Sequence, residues 1–141
     1  MPSQSGISQT RSTQQKTSIT PEIKAVVQRM QFALIDFANK MAADEDRVKK
    51  FPAVVDNDIN IIISTGKKGV ETLDQLDGAW GTNTQNALLT AQKLIDSYNS
   101  IHKDKPFPGK LDTTRYLNSG KDPKDVIAAG KENIRILYFF G

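Results

Sequence analysis

Four stretches of this chain carry side chains of the kind that hold metals, bind phosphate or move protons. Asp56-Asn57-Asp58-Ile59-Asn60 has the alternating oxygen donors that open a calcium loop. Ile61 stands where that loop needs its turn glycine, and Lys67 where it needs its closing bidentate carboxylate, so no calcium site is expected. Ser64-Thr65-Gly66-Lys67-Lys68-Gly69 contains Gly-Lys without the G-x-x-x-x-G-K-[ST] spacing that cradles phosphate, and reads as a basic turn. Glu71, Asp74 and Asp77 offer carboxylates for acid/base work, but acids at three-residue spacing are also what a solvated face carries. His102, the single histidine, lies beside Lys103 at the end of a predicted helix, where it suits the C-terminal dipole better than proton abstraction. The chain has no cysteine and no Gly-x-Ser-x-Gly elbow. With no recognisable catalytic constellation, the expectation is a protein that is not an enzyme and holds no metal and no cofactor.

The elements that would position these groups are mostly helical by pattern. Thr20-Pro21-Glu22 reads as a helix start, with a hydroxyl cap, proline at the first position and an acid in the first turn. Ile23, Val27, Met30, Leu34, Phe37 and Met41 follow at alternating spacings of four and three, with Val26, Ala33 and Ala38 widening the stripe. Phe32 and Ile35 lie outside that stripe and would suit pairing with another chain. Asp44 to Lys50 reads as a solvated helix end, and Pro52 enforces a break near Phe51.

Ala53 to Gly66 fits two patterns. Ile59, Ile61, Ile62 and Ile63 suit a buried strand, whereas Val55, Ile59, Ile62 and Ile63 share a helical face with Gly66 as C-cap. Helix is the reading adopted, because no second strand is available for pairing. A further helix is predicted from Thr82 or Thr84 to His102, with Ala87, Leu88, Ala91, Leu94, Ile95, Tyr98 and Ile101 on its apolar face. Lys105 to Gly109 forms a Pro-rich loop, Asp112 to Asn118 is expected to make one helical turn, and Asp122-Pro123 opens a short helix through Ala129. Ile134 to Phe140 is apolar and suits either a strand or a helix end.

Between these elements sits Asp77-Gly78-Ala79-Trp80-Gly81-Thr82-Asn83-Thr84-Gln85-Asn86-Ala87-Leu88. Asp77 can accept backbone hydrogen bonds in a turn, while Gly78 and Gly81 admit conformations closed to residues with a Cβ. Trp80 is an aromatic plug, Thr82 or Thr84 a helix cap, and Ala87 a point of close helix approach. Read as D-G-x-W-G-x-x-T-x-x-A-L, this run resembles the signature of the small three-helix peptidoglycan-binding domains of cell-wall hydrolases and phage lytic proteins. Ala91-Gln92 is similar to that family's continuation. The preceding stretch, Ile59 to Leu76, lacks the family's Leu-Gln helix and Gly-Tyr turn. The resemblance implies a helical core over residues 53–103 and a shallow groove at the Asp77–Thr84 loop. There Asn83, Gln85 and Asn86 would meet an amide-rich glycan peptide, and Tyr98 would offer a stacking surface.

Composition bounds these readings. The 141 residues suit one domain, and 38% apolar with 25% charged residues suits a globular core. No apolar run is long enough to cross a membrane, and no apolar leader opens the chain. The net charge of +3 is too small to argue for nucleic acid, and bases do not alternate with aromatics as a stacking platform requires. Residues 1–20 hold five Ser, four Thr and four Gln, with Arg11 and Lys16 and no acid. Such a segment buries too little apolar surface to offset its ordering entropy and is predicted to be a disordered tail. The expected fold is mainly α, a small helical bundle over residues 21–141. The expected function is a non-catalytic binding or structural module with a peptidoglycan-binding-like fold, its partner the bacterial cell wall. The alternative is a subunit of a larger assembly such as a virion. There the tail, the heptad helix and the apolar C-terminus would contact neighbouring chains, at a virion or cell-envelope location.

Overall fold

Helix α1 (Pro21–Ala43) is the post around which the other elements pack, and its start is the one the sequence announces. Thr20 Oγ1 accepts the Ile23 N–H at 3.1 Å, and Pro21 occupies the first turn. A computed structural model of the chain describes residues 19–66 and 70–140. The tail expected over residues 1–20 therefore lies outside the described residues apart from Ile19 and Thr20, as do Lys67 to Gly69 of the basic turn. The described residues are mainly helical and contain no strand, and none of their helices is long and apolar enough to cross a membrane.

Every position of the α1 stripe is buried, from Ile23 to Met41. Ile35, read from the pattern as available to another chain, is buried too, and Phe32 is half-buried. Apolar groups surround α1 on several sides, with α5 (Pro123–Leu137) and α3 (Asp56–Ile63) packing most extensively on it. The short helix α2 (Arg47–Lys50) is braced by Lys50, whose ammonium lies 2.6 Å from Asp44 Oδ2. It delivers Phe51 into the core.

The isoleucine-rich stretch is helix. Intrinsic β preference is a weak prior. The tertiary setting overrides it here, because Ile62 faces the core while Ile59 and Ile63 pack at its edge. The first turn of α3 uses its acid locally: Asp58 accepts the Val55 N–H at 3.0 Å and pairs with Lys93 of α4 (Thr82–Ile101) at 2.8 Å. The helix ends at Ile63, and Gly66 is not its left-handed cap. Gly66 serves by its lack of volume, since a Cβ there would run into the Leu76 side chain.

Two further expectations need correction. Asp112 to Asn118 forms no helical turn. Asn133 of α5 takes the place of a helix ladder, accepting the Asp112 N–H at 2.8 Å and donating to the Asp112 carbonyl at 3.0 Å. The last helix does not stop at Ala129 but runs to Leu137, followed by a 3₁₀ turn over Tyr138–Phe140. Gly130 is the reason it can pass α1 closely: a Cβ there would meet Val26 Cγ2 at 3.2 Å. Ile136 and Leu137 then reach the core.

Trp80 is only 2% exposed and meets the Tyr116 ring edge-on at 4.6 Å between centroids. Its carbonyl accepts the Tyr116 N–H at 3.1 Å and the Leu117 N–H at 2.9 Å, so ring and backbone hold the same segment. The Tyr116 hydroxyl donates to Asp112 Oδ2 at 2.5 Å. Burial, then this bond to a carboxylate, pushes the phenol up to about 12. Burial raises the Asp112 carboxyl, but hydrogen bonds from Tyr116 and Thr114 outweigh it and hold the group below its ordinary value.

Truncating Trp80 to alanine should cost about 3–5 kcal/mol, read as a sharp fall in melting temperature; a variant that melts like wild type would place the ring outside the core. The Tyr116 phenol favours its neutral form more strongly when folded than when unfolded. Its contribution to stability should thus be complete below about pH 10 and fade as pH rises toward 12. Ultraviolet titration should show a late tyrosine phase that is lost in Tyr116→Phe.

Candidate functional site

Gln31 is the residue on which the motif loop rests. It is 0% exposed and belongs to α1, facing the loop from the core side. Its Nε2 lies 2.9 Å from Asp77 Oδ1, 3.2 Å from the Ala79 carbonyl and 3.1 Å from Thr84 Oγ1. Its Oε1 accepts the Gly78 N–H at 3.1 Å. Thr84 Oγ1 continues the network to Thr65 Oγ1 at 2.8 Å, which joins the segment after α3 to the start of α4. Polar groups that would be costly to bury alone thus satisfy one another.

The loop's own residues follow the motif in part. Asp77 Oδ1 accepts the Ala79 N–H at 2.9 Å, the turn bond expected of it. Gly78 has φ +65 and packs directly on α1; a Cβ would meet Lys24 Cγ at 2.5 Å and the Lys24 carbonyl oxygen at 2.9 Å. Gly81 is different: φ is −101, within reach of any residue, and a Cβ would touch only Leu117, at 3.4 Å. Neither Thr82 nor Thr84 caps α4. The cap position is Gly81, which has no side chain to offer, and Thr84 lies inside the helix with its hydroxyl committed to Gln31 and Thr65. Ala87 and Ala91 are fully buried in the bundle core.

Over this network opens a cleft of about 280 Å³, between the segment after α3, the Asp77 loop and the first turn of α4. Its polar lining includes Ser64, Gln75, Asp77, Thr82 and Asn83, with Leu76 and Leu117 as apolar contacts. Ser64, Gln75, Asp77, Thr82 and Asn83 are exposed, whereas Thr65 and Thr84 behind them are buried. The first N–H groups of α4 have no intrahelical acceptor, which adds donors to this wall. Asp77 presents the nearest negative charge. Glu71 and Asp74 are exposed and take no part in the lining; Asp74 accepts a hydrogen bond from Thr72 at 2.5 Å.

Of the four residues expected to meet a ligand, Asn83 alone lines this cleft. Gln85 donates to the Thr113 carbonyl at 3.1 Å instead, and Asn86 is exposed and does not line the cleft. Tyr98 lies twelve positions after Asn86, about 18 Å along the axis at a rise of about 1.5 Å per residue. It stacks on His102 at 3.8 Å and belongs to an aromatic cluster at the far end of α4. The His102 ring itself contacts the Tyr98 carbonyl through Nδ1 at 2.9 Å, in the helix-end position read from the sequence.

Gln31 escaped the reading of the motif because it lies 46 residues before Asp77. A signal was present, since Gln31 falls four residues after Val27 and three before Leu34, on the apolar face of α1. A polar side chain at such a position is buried and must have partners. Comparison with protein-family models, with curated proteins and with solved structures finds no match for this chain.

Replacing Gln31 by leucine keeps the volume roughly but leaves the buried Gly78 N–H without its acceptor, at a cost of about 1–3 kcal/mol. The Gly78 amide should exchange with deuterium markedly faster in Gln31→Leu than in wild type. Gly78→Ala should destabilise at least as much; a well-tolerated alanine would contradict the close approach to Lys24.

Proposed function

We propose that the chain is a non-catalytic recognition module whose cleft at the Asp77–Thr84 loop takes an amide-bearing glycan peptide of the bacterial cell-wall type. The observation that carries this reading is the pairing of an open polar cleft with a rigid buried network directly beneath it. Exposed Ser64, Gln75, Thr82 and Asn83 supply both donors and acceptors, as the amides of a peptide stem require. The buried Gln31–Thr84–Thr65 chain fixes the loop before a ligand arrives, which lowers the ordering cost of binding. The motif resemblance points to the same partner.

The competing reading, a subunit of a larger assembly, draws on exposed apolar side chains such as Val48, Leu89 and Ile101. They belong to α2 and α4 and leave the motif as scaffold only.

Co-sedimentation with purified bacterial sacculi separates the two. Retention should persist at moderate salt, because neutral hydrogen bonds rather than exposed charge dominate the cleft. Asn83→Ala should weaken retention several-fold, while Asn86→Ala, outside the lining, should leave it unchanged. A protein that ignores sacculi while light scattering reports self-association would replace the recognition reading with the assembly reading.

A further inference from the structure

We propose that a second cleft, at the opposite end of α4, binds a small aromatic anion such as an aromatic carboxylate. This cleft encloses about 340 Å³ and is lined by Lys50, Tyr98, Lys105, Phe107, Phe139 and Phe140. That volume lies in the range of about 300–1,000 Å³ that small-molecule sites occupy. Its lining among the described residues is four aromatic rings and two ammonium groups, with no acidic side chain.

The rings are held from behind. Phe107 meets Tyr98 edge-on at 5.1 Å and lies tilted against Phe139 at 4.9 Å between centroids. Phe140 stands at a right angle to Phe51 at 5.0 Å, and Phe37 backs it at 5.5 Å. Tyr98 is fixed between Phe51 and His102. Yet Tyr98, Phe139 and Phe140 are only half-buried, so their free faces and edges form the cleft wall. A flat apolar ring is the occupant that such a wall rewards, through edge-to-face and offset stacking.

The charge selects among flat occupants. Lys50 is held by Asp44 at 2.6 Å, whereas the Lys105 ammonium has no hydrogen bond or ion pair among the described residues. A cationic ring would be repelled by Lys105, and a neutral one would leave that ammonium to solvent alone. A carboxylate on the ring answers the apolar wall and the unpaired ammonium together. None of these six residues takes part in the Asp77 cleft, so the inference stands apart from the cell-wall reading.

The test is a two-dimensional amide NMR titration of the full chain with 2-naphthoate and, separately, with its neutral analogue 2-naphthylmethanol. Naphthoate should give saturable shifts at the amides of Lys50, Lys105, Phe107, Phe139 and Phe140, and should bind about fivefold tighter than the alcohol, the size an ion pair at a half-open surface supplies. Lys105→Met should remove that advantage while leaving binding of the alcohol unchanged. Equal affinity for acid and alcohol in the wild type, an advantage that survives in Lys105→Met, or shifts confined to other regions would each overturn the proposal. Concentration-dependent shifts of the same amides without any probe would also overturn it, by assigning the cleft to a second copy of the chain.

Discussion

One buried amide sets the geometry on which the motif end of this protein depends. Gln31 projects from a helix that is otherwise apolar on that face and satisfies donors and acceptors from Asp77, Gly78, Ala79 and Thr84 at once. A buried amide left half-paired is worse than an apolar side chain in the same place, so pairing Gln31 favours the loop arrangement seen. That arrangement brings Gly78 against the α1 backbone, seats Trp80 in the core and starts α4 at Thr82.

The same solution recurs at the other long connection. The stretch from Leu111 to Leu117 has neither helix nor strand to occupy its backbone groups, yet it covers the core with Leu111 and Tyr116. Buried backbone must find partners somewhere. Gln92 accepts the Leu111 N–H at 2.7 Å, Asn133 binds both backbone groups of Asp112, Gln85 donates to Thr113, and Trp80 lends its carbonyl to Tyr116 and Leu117. In a helical fold, side-chain amides thus do for the loops what a neighbouring strand does in a sheet. This explains why Gln and Asn are buried or half-buried at these points, and why Gln85 faces the 112–117 segment rather than the cleft.

The bundle consequently has two ends of different chemistry joined by α4. At the start of α4 the surface is polar, hydroxyl- and amide-bearing, and backed by hydrogen bonds; at its far end the wall is aromatic and the rim cationic. Trp80, read as a plug, is in the core, whereas Tyr98, read as a stacking surface, belongs to the aromatic cluster at the far end of the helix between them.

The local sequence by itself determined the parts governed by short-range physics. The cap at Thr20, the cap at Asp122 and the Asp77 turn each depend on residues within a helical turn of one another, and the α1 stripe is written in its own periodicity. The isoleucine run fitted both strand and helix locally, and helix followed from the lack of a partner strand, as the folded chain has it. Tertiary structure alone decided the rest. The last helix runs past Ala129 to Leu137, with Gly130 facing Val26, more than a hundred residues away in sequence. Thr84 forgoes capping because Gln31 and Thr65 claim its hydroxyl, and Tyr98 leaves the cleft because a helix carries it to the other end. Hydrogen bonds and packing between distant segments have no period and no local composition, so nothing short of the folded chain reveals which polar side chain will satisfy which loop.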